Sequence, residues 1–177
     1  MDPARERAFV ISSLDAAREL LLKTPVSARL IPPEGVSFGF ALKGARDSSG
    51  VAAVRIGIRN DRAACTCTFG TDEPVVRAIL TVMKFNPVIR SAAVLQFSDR
   101  ALSVFEHDLF LECASFTAAP AGRGTGTMDW GIAFCCKCDV PDVIYEKNPD
   151  KTQSRLVISG EDPADVVNNI IICSGRI

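Results

Sequence analysis

Ser159-Gly160-Glu161-Asp162-Pro163 ends a strand-like run and begins a helix, and this boundary decides how the last part of the chain folds. Asp162 suits the N-cap position, Pro163 suits the first helical position, and Asp165 adds negative charge to the first turn. The helix continues into Ile170-Ile171-Ile172-Cys173, which is apolar on all sides. Such a surface requires a core on one side and a second apolar neighbour on the other, either a partner protein or a membrane anchor.

The composition is that of an ordinary folded domain. The chain has 177 residues, 47% of them hydrophobic, so we expect a single globular domain over residues 1–177 with a full core. The net charge of −1 gives no electrostatic sign of a nucleic-acid partner or an anionic membrane surface. No apolar run reaches the roughly 20 residues that a membrane span requires.

A long helix is predicted at the start of the chain, from about Pro3 to Lys23, with Asp2 as its N-cap. Its apolar stripe is wider than the roughly 100° that suffices to cover a core. Two interpretations remain open: a deeply embedded helix, or a helix shared between the core and a partner. The stripe consists of Val10, Leu14, Ala17 and Leu21, widened by Phe9, Ile11, Leu20 and Leu22.

The remaining pattern predicts mostly antiparallel strands and one more helix, which begins at Pro74 and ends before Asn86-Pro87. Residues 92–97 and 101–106 are predicted to form a hairpin around Ser98-Asp99-Arg100. The fold class is therefore α+β, sandwich-like, with about three packed helices. The other predicted strands are residues 26–31, 36–42, 51–58, 64–69, 109–117, 130–138 and 155–159.

The sequence yields no catalytic set. His107 is the only histidine, and its neighbours Glu106 and Asp108 point in different directions at a strand end, so a surface cluster is expected. The glycine-rich segment 122–127 lacks the lysine of a phosphate-binding loop and is interpreted as an ordinary loop. A small enzyme built from Asp99, Arg100 and His107 is kept as the least favoured alternative. No cofactor is expected.

Seven cysteines raise the question of metal binding. Their odd number and the adjacent pair Cys135-Cys136 favour reduced thiols over a secreted disulfide framework. The spacings Cys65-x-Cys67 and Cys136-x-Cys138 could present four thiolates, so a small zinc-binding regulatory module is a second hypothesis. Structural zinc sites usually space their cysteine pairs by two to four residues in a turn, and the flanking residues here are strand-like. We therefore expect buried, metal-free cysteines.

Three stretches resemble the herpesvirus nuclear egress protein 2 family, the membrane-anchored subunit of the nuclear egress complex. They are the helix Pro74–Phe85, the hairpin Val94–Val104 behind it, and Val157–Pro163 leading into the last helix. The opening helix Ala4–Lys23 also fits the family's order of elements. The chain departs from the family at Val76-Arg77, where the family carries an acidic-aromatic pair, and it lacks the C-terminal basic segment and membrane span.

This resemblance implies a non-enzymatic viral scaffold at the inner nuclear membrane of the host. Such a scaffold forms a heterodimer with a second egress subunit, assembles into a hexagonal lattice and bends the membrane for capsid budding. It would be anchored by a C-terminal segment missing here. The apolar helix surfaces would receive the partner's helical arm, in the manner of a helix docked in a groove. The expected partner contacts are Ile11, Leu14, Arg18, Leu22, Val76, Arg77, Leu80, Val167, Ile170 and Ile171.

Overall fold

A computed structural model describes residues 2–57, 66–117 and 127–177. These residues contain one seven-stranded sheet with the strand order β3-β2-β1-β4-β7-β6-β5. All neighbouring strands are antiparallel except β5 and β6, which run parallel. The strands are β1 (Val36–Ala41), β2 (Val51–Ile56), β3 (Thr68–Phe69), β4 (Ser91–Gln96), β5 (Cys113–Thr117), β6 (Val143–Lys147) and β7 (Arg155–Gly160).

Helices cover both faces of this sheet. One face carries α1 and α5, whose side chains share a core with Phe38 and Phe40 of β1. The other face carries α2 and α4, which pack on Ala53 and Val94. The described helices are α1 (Pro3–Lys23), α2 (Pro74–Phe85), α3 (Asp99–Ser103), α4 (Thr127–Cys135) and α5 (Pro163–Ser174), with a π-helical turn at Val104–Asp108 and 3₁₀ turns at Ala28–Leu30 and Ser48–Gly50.

The central strands show why both faces need cover. All six residues of β1 are buried, with large Phe38 and Phe40 facing α1 and α5 and the smaller Ser37, Gly39 and Ala41 facing α2. Successive side chains of a strand point to opposite faces, so a strand buried throughout must be covered twice. Gly39 is required where α2 crosses the sheet, because a Cβ there would lie 2.9 Å from Cδ1 of Ile79.

The α+β class with mostly antiparallel strands is confirmed, but the sandwich-like arrangement is wrong. One sheet lies between two helical layers, and the described residues contain five α-helices where about three were predicted. The predicted strand at 130–138 is largely helix α4. Ile132 and Cys136, four residues apart, point into the core while Trp130 and Phe134 face outward, which is helical spacing.

The predicted hairpin of residues 92–97 and 101–106 is also wrong in its second half. Ser98 accepts a hydrogen bond from the backbone N–H of Ala101 at 3.4 Å, which starts α3 instead of closing a turn. The segment predicted as a strand at 26–31 instead contains the 3₁₀ turn at Ala28–Leu30. Part of the predicted strand at 64–69 lies outside the described residues.

The three helices predicted from the residues at their starts are confirmed. Asp2 accepts a hydrogen bond from Ala4 N at 3.3 Å, and Asp162 accepts one from Asp165 N at 3.1 Å. Pro3, Pro74 and Pro163 each stand in the first turn of their helix. Caps of this kind are local, so the sequence alone reveals them.

Candidate functional site

Four polar side chains meet at one edge of the sheet, and we call the set Ser37, Arg55, Gln96 and Arg155 the arginine edge. The antiparallel register pairs Ser37 with Arg55 and Gln96 with Arg155, and Ser37 lies opposite Val94, two residues before Gln96 on the same strand face. The two pairs therefore share one face near one end of the sheet, and Glu34 bonds both arginines. The carboxyl ends of β5 and β6 reach the same edge.

Arg55 is the centre of the arginine edge. Its Nη2 donates to Oε2 of Glu73 at 2.8 Å, and its Nε donates to the two carboxylate oxygens of Glu73 at 3.2 and 3.1 Å. Its Nη1 donates to the backbone oxygen of Glu34 at 3.0 Å. The guanidinium is therefore held in a fixed orientation, about one third of its side chain reaches the surface, and it presents the planar fork that binds carboxylates or phosphates.

Helix α2 begins beside this arginine. The hydroxyl of Ser37 accepts the Val75 N–H at 3.3 Å and donates to Glu73 at 3.1 Å. Glu73 occupies the N-cap position, yet its side chain does not cap the helix. The first turn of a 12-residue helix carries partial positive charge, which adds to that of Arg55. Together these groups favour an anion at this point.

Arg155 is less exposed than Arg55, with 19% of its side chain at the surface, and each of its three guanidinium nitrogens donates within the protein. Its Nε and Nη2 bind the carboxylate of Glu34 at 2.8 and 3.1 Å, and its Nη1 donates to Gln96 Oε1 at 3.1 Å and to the carbonyl oxygens of Thr152 and Ser154 at 3.1 and 3.2 Å. Partial burial opposes ionisation of Glu34, but the hydrogen bond and charge of Arg155 outweigh it and hold the Glu34 pKa below its usual value. Arg155 therefore anchors the turn that precedes β7.

A cavity of about 280 Å³ lies at the same end of the sheet, on the face that carries α1 and α5, and contains an aromatic wall. Phe97 and Tyr145 stack there with ring centroids 5.3 Å apart, and Ser154 and Lys151 line the same cavity. Ser154 is 1% exposed, and its hydroxyl has no hydrogen-bond partner among the described residues. A buried hydroxyl of this kind is available to a ligand or an ordered water. The cavity thus offers a planar apolar surface and a free polar group.

A larger cavity of about 490 Å³ lies at the opposite edge, lined by Phe9, Phe40, Lys43, Arg90 and Asp162 among others. The arginine of this cavity makes contacts within the domain. Arg90 Nη1 donates to Ala41 O at 2.9 Å, and the Arg90 guanidinium lies 4.7 Å from the ring centroid of Phe40. Carboxylates balance its cations, because Glu6 lies 3.9 Å from Arg90. We favour the arginine edge, because 36% of the Arg55 side chain reaches the surface, against 14% of the Arg90 side chain.

The predicted partner contacts do not form one surface. Leu14, Val76, Val167 and Ile170 are buried in this domain's own core, so an approaching protein cannot reach them. Leu22 and Arg77 are exposed, and Ile11, Arg18, Leu80 and Ile171 are partly buried. Leu22 on α1 and Arg77 on α2 belong to helices on opposite faces of the sheet. Binding by the reachable residues stays a prediction.

The residues of the alternative enzyme hypothesis do not form a site. His107 lies on the π-helical turn with 70% of its side chain exposed, 3.8 Å from Glu106. Asp99 forms an exposed ion pair with Lys151. The sequence analysis did not single out Arg55 of the arginine edge or its partner Glu73. The one available signal was a charged residue inside the otherwise apolar strand Val51–Ile56.

The zinc hypothesis is not supported. Within the described ranges, no group of three or more His, Cys, Asp or Glu side chains could hold a metal ion. Cys67 is buried and its sulfur donates to Asp15 Oδ1 at 3.2 Å, whereas Cys138 is exposed. Cys65 lies outside the described residues. Burial raises the pKa of Cys136 to about 11 and that of Cys173 to about 12, with smaller contributions from Cys135 and Asp108 respectively.

These cysteines should react with iodoacetamide at very different rates. At pH 8 we expect Cys138 to be alkylated readily and Cys136 and Cys173 at least about 100-fold more slowly, because the thiolate is the nucleophile and burial suppresses it. Peptide mass spectrometry after timed alkylation measures this difference. In urea the three rates should converge. Rapid alkylation of Cys173 in the folded protein would contradict the packing of α5.

Comparisons with known proteins bear on this site. The crystal structure of the C-terminal domain of a phosphomethylpyrimidine kinase superposes with a TM-score of 0.82 and 26% identity, covering 95% of this chain and all of that one. The bifunctional thiamine biosynthesis protein ThiDN of Methanocaldococcus jannaschii is 28% identical over 169 residues, which is 91% of this chain. The match spans 39% of that curated relative. An l-fuculose-1-phosphate aldolase from Thermus thermophilus has a TM-score of 0.55 at 11% identity, covering 96% of this chain and 89% of that one, and shares the fold alone.

The resemblance to nuclear egress proteins is therefore wrong, and with it the viral scaffold, the second egress subunit, the lattice and the nuclear-membrane location. One relative is named a thiamine biosynthesis protein and another a phosphomethylpyrimidine kinase, which is an enzyme, and this overturns the expectation of a non-enzymatic chain. In the part of the chain that the structure describes, no helix has the length and apolarity to cross a membrane.

The family comparison covers the sheet, both helical layers and the arginine edge. The model of the family described as thiamine-phosphate synthase ThiN matches residues 13–172, which is most of the chain. The chain belongs to the ThiN thiamine-phosphate synthase family.

Proposed function

We propose that this domain is a thiamine-phosphate synthase and that it binds the phosphate groups of its substrates at the arginine edge. The family description and the name of the curated relative support the reaction class. The single structural observation that carries the location is Arg55, a partly exposed guanidinium fixed beside the first turn of α2. Only the synthase activity is proposed, because the chain matches a minor part of its bifunctional relative.

The names of the relatives indicate the chemistry. A phosphomethylpyrimidine kinase adds a second phosphate and so produces a pyrimidine with a diphosphate on its methylene carbon. Thiamine phosphate contains the same methylene carbon joined to the nitrogen of a thiazole phosphate. The joining step forms this carbon–nitrogen bond and breaks the carbon–oxygen bond, and the diphosphate leaves with the electron pair. A site for this step must bind two anionic groups and stabilise the negative charge that grows on the leaving diphosphate.

The described residues can meet these demands. The fork of Arg55, the Ser37 hydroxyl and the start of α2 offer positive charge and hydrogen-bond donors to a phosphate. The stacked rings of Phe97 and Tyr145 offer an apolar face to a planar heterocycle in the cavity at the same end of the sheet. The attacking thiazole nitrogen already has a lone pair, so the step needs no general base. A site without a histidine is therefore no obstacle to this reaction.

The proposal is tested by the reaction itself. We expect the purified protein, given the pyrimidine diphosphate and the thiazole phosphate, to form thiamine phosphate and diphosphate in equal amounts. Oxidation to fluorescent thiochrome followed by chromatography quantifies the product, and reactions with one substrate omitted provide the baseline. Product no higher than without protein would contradict the synthase proposal. In that case, tight binding of thiamine phosphate would identify a receptor domain in place of an enzyme.

A further inference from the structure

We infer that the carboxylate of Glu73 occupies the place of a substrate phosphate at Arg55, so that a phosphate must displace it in order to bind. This inference rests on the proposed function, since it concerns the same site. It adds that the chain itself contains a competitor of the substrate phosphate. Glu73 is part of the chain, and its competition is therefore always present.

The contacts of Glu73 are those that a phosphate would make. Arg55 donates to it from Nε and Nη2, the nearest contact being 2.8 Å, and Ser37 donates its hydroxyl at 3.1 Å. Arginine forks bind carboxylates and phosphates with the same planar geometry. The start of α2 then adds an attraction for negative charge of either kind. An anion is thus bound at this point already.

The position of Glu73 in the chain allows it to leave. It precedes Pro74 at the start of α2, and residues 71–73 belong to neither helix nor strand. Its side chain makes no capping hydrogen bond, so its departure costs the helix no cap. The side chain is 20% exposed, which gives the carboxylate a path into solvent. A phosphate monoester carries more negative charge than a carboxylate and has three acceptor oxygens, so it can compete for Arg55.

The same contacts also suit an opposite role. Thiamine phosphate also contains a positively charged thiazolium ring, and Glu73 could stay in place and attract it. The two roles predict opposite effects of removing the carboxylate. As a competitor, Glu73 weakens the binding of phosphate-bearing ligands. As a partner of the ring, it strengthens the binding of thiamine with or without phosphate.

Calorimetric titrations with thiamine phosphate, unphosphorylated thiamine and inorganic diphosphate separate these roles. The first variant, Glu73→Gln, keeps the shape of the side chain and removes its charge. The second, Glu73→Ala, also removes the polar group, so no amide remains at Arg55. The matched control is Glu161→Gln, which makes the same change of charge at an exposed residue on the opposite edge of the sheet. The double variant R55M/E73Q tests whether any gain depends on Arg55. Thermal unfolding of each variant shows that it is folded.

We expect both Glu73 variants to bind thiamine phosphate and diphosphate about five- to tenfold more tightly and to bind thiamine with unchanged affinity. Glu161→Gln should show no gain in affinity, and R55M/E73Q should lose the gain. Unchanged or weaker binding of both phosphate ligands would overturn the inference. An equal gain for thiamine would overturn it too, because the effect would not concern phosphate. A gain for diphosphate with no binding of thiamine phosphate by any variant would support the competition and overturn the proposed function instead.

Discussion

Replacing Arg55 by methionine is expected to weaken the binding of thiamine phosphate by about 100-fold. Two effects act in the same direction. The charge-assisted contacts to the phosphate are lost, which for a central, partly buried arginine corresponds to roughly 2–3 kcal/mol. In addition, the carboxylate of Glu73 loses the guanidinium that neutralises it at 2.8 Å and then repels the incoming phosphate. Isothermal titration calorimetry measures the change, and synthase assays should show a loss of kcat/KM of similar size.

Arg77→Met is the matched control for this variant. Arg77 lies on the same helix side of the sheet, but 63% of its side chain is exposed and its nearest carboxylate, Asp129, is 4.0 Å away. Exposed pairs of this kind contribute little, so we expect less than about a threefold effect on affinity. If Arg55→Met binds thiamine phosphate as well as the unchanged protein, the phosphate site lies elsewhere. The larger cavity at the opposite edge would then be the next place to test.

The sequence predicted those parts of the fold that depend on local signals. Asp2 and Asp162 cap their helices as expected, and Asn86-Pro87 follows the end of α2. The prediction from sequence failed where the same residue pattern is compatible with two structures. Residues 130–138 are apolar enough for a buried strand, and only tertiary packing selects the helix that buries Ile132 and Cys136 together. Ser98 likewise suits both a turn and a helix cap.

Part of the apolar surplus that suggested a docking surface has a simpler origin, while Phe9, Leu20 and Leu22 stay exposed. Helices α1 and α5 pack on the same face of the sheet, and their side chains bury one another in a shared core. Leu14 and Ile170 are fully buried in this way. A single-helix pattern shows that a side chain needs an apolar neighbour, but it cannot show whether that neighbour is another helix of the same chain or a partner.

The candidate site could not be predicted from the sequence, for a related reason. Arg55 and Glu73 are 18 residues apart, and their meeting depends on the register that pairs Ser37 with Arg55 and on the path of α2 across the sheet. Register and helix placement are tertiary properties. A lone arginine in an apolar strand indicated that a buried or partly buried partner must exist, without indicating which residue it is.

The largest expected loss of stability comes from Gly131→Ala in α4. Alanine is normally about 1 kcal/mol better than glycine within a helix. At this position, however, a Cβ would lie only 2.3–2.4 Å from three ring atoms of Phe116, a buried side chain of β5. Overpacking of a rigid core costs typically about 1–3 kcal/mol and sometimes more, and we place this contact at the upper end. The steric cost therefore exceeds the gain in helix propensity, and we expect a net loss of about 2 kcal/mol in the free energy of unfolding.

Urea unfolding followed by circular dichroism measures this loss, and the melting temperature should fall by about 4–8 °C for a domain of this size. Gly57→Ala is the control, because no atom of the described residues lies within 4 Å of its Cβ position, and its effect should stay within about 0.5 kcal/mol. Adding Phe116→Leu to Gly131→Ala should cost less than the sum of the single changes, since the smaller side chain leaves room for the methyl group. If Gly131→Ala proves as stable as the unchanged protein, α4 does not pack this closely on β5, and its first turn would no longer be held near α2 and Arg77.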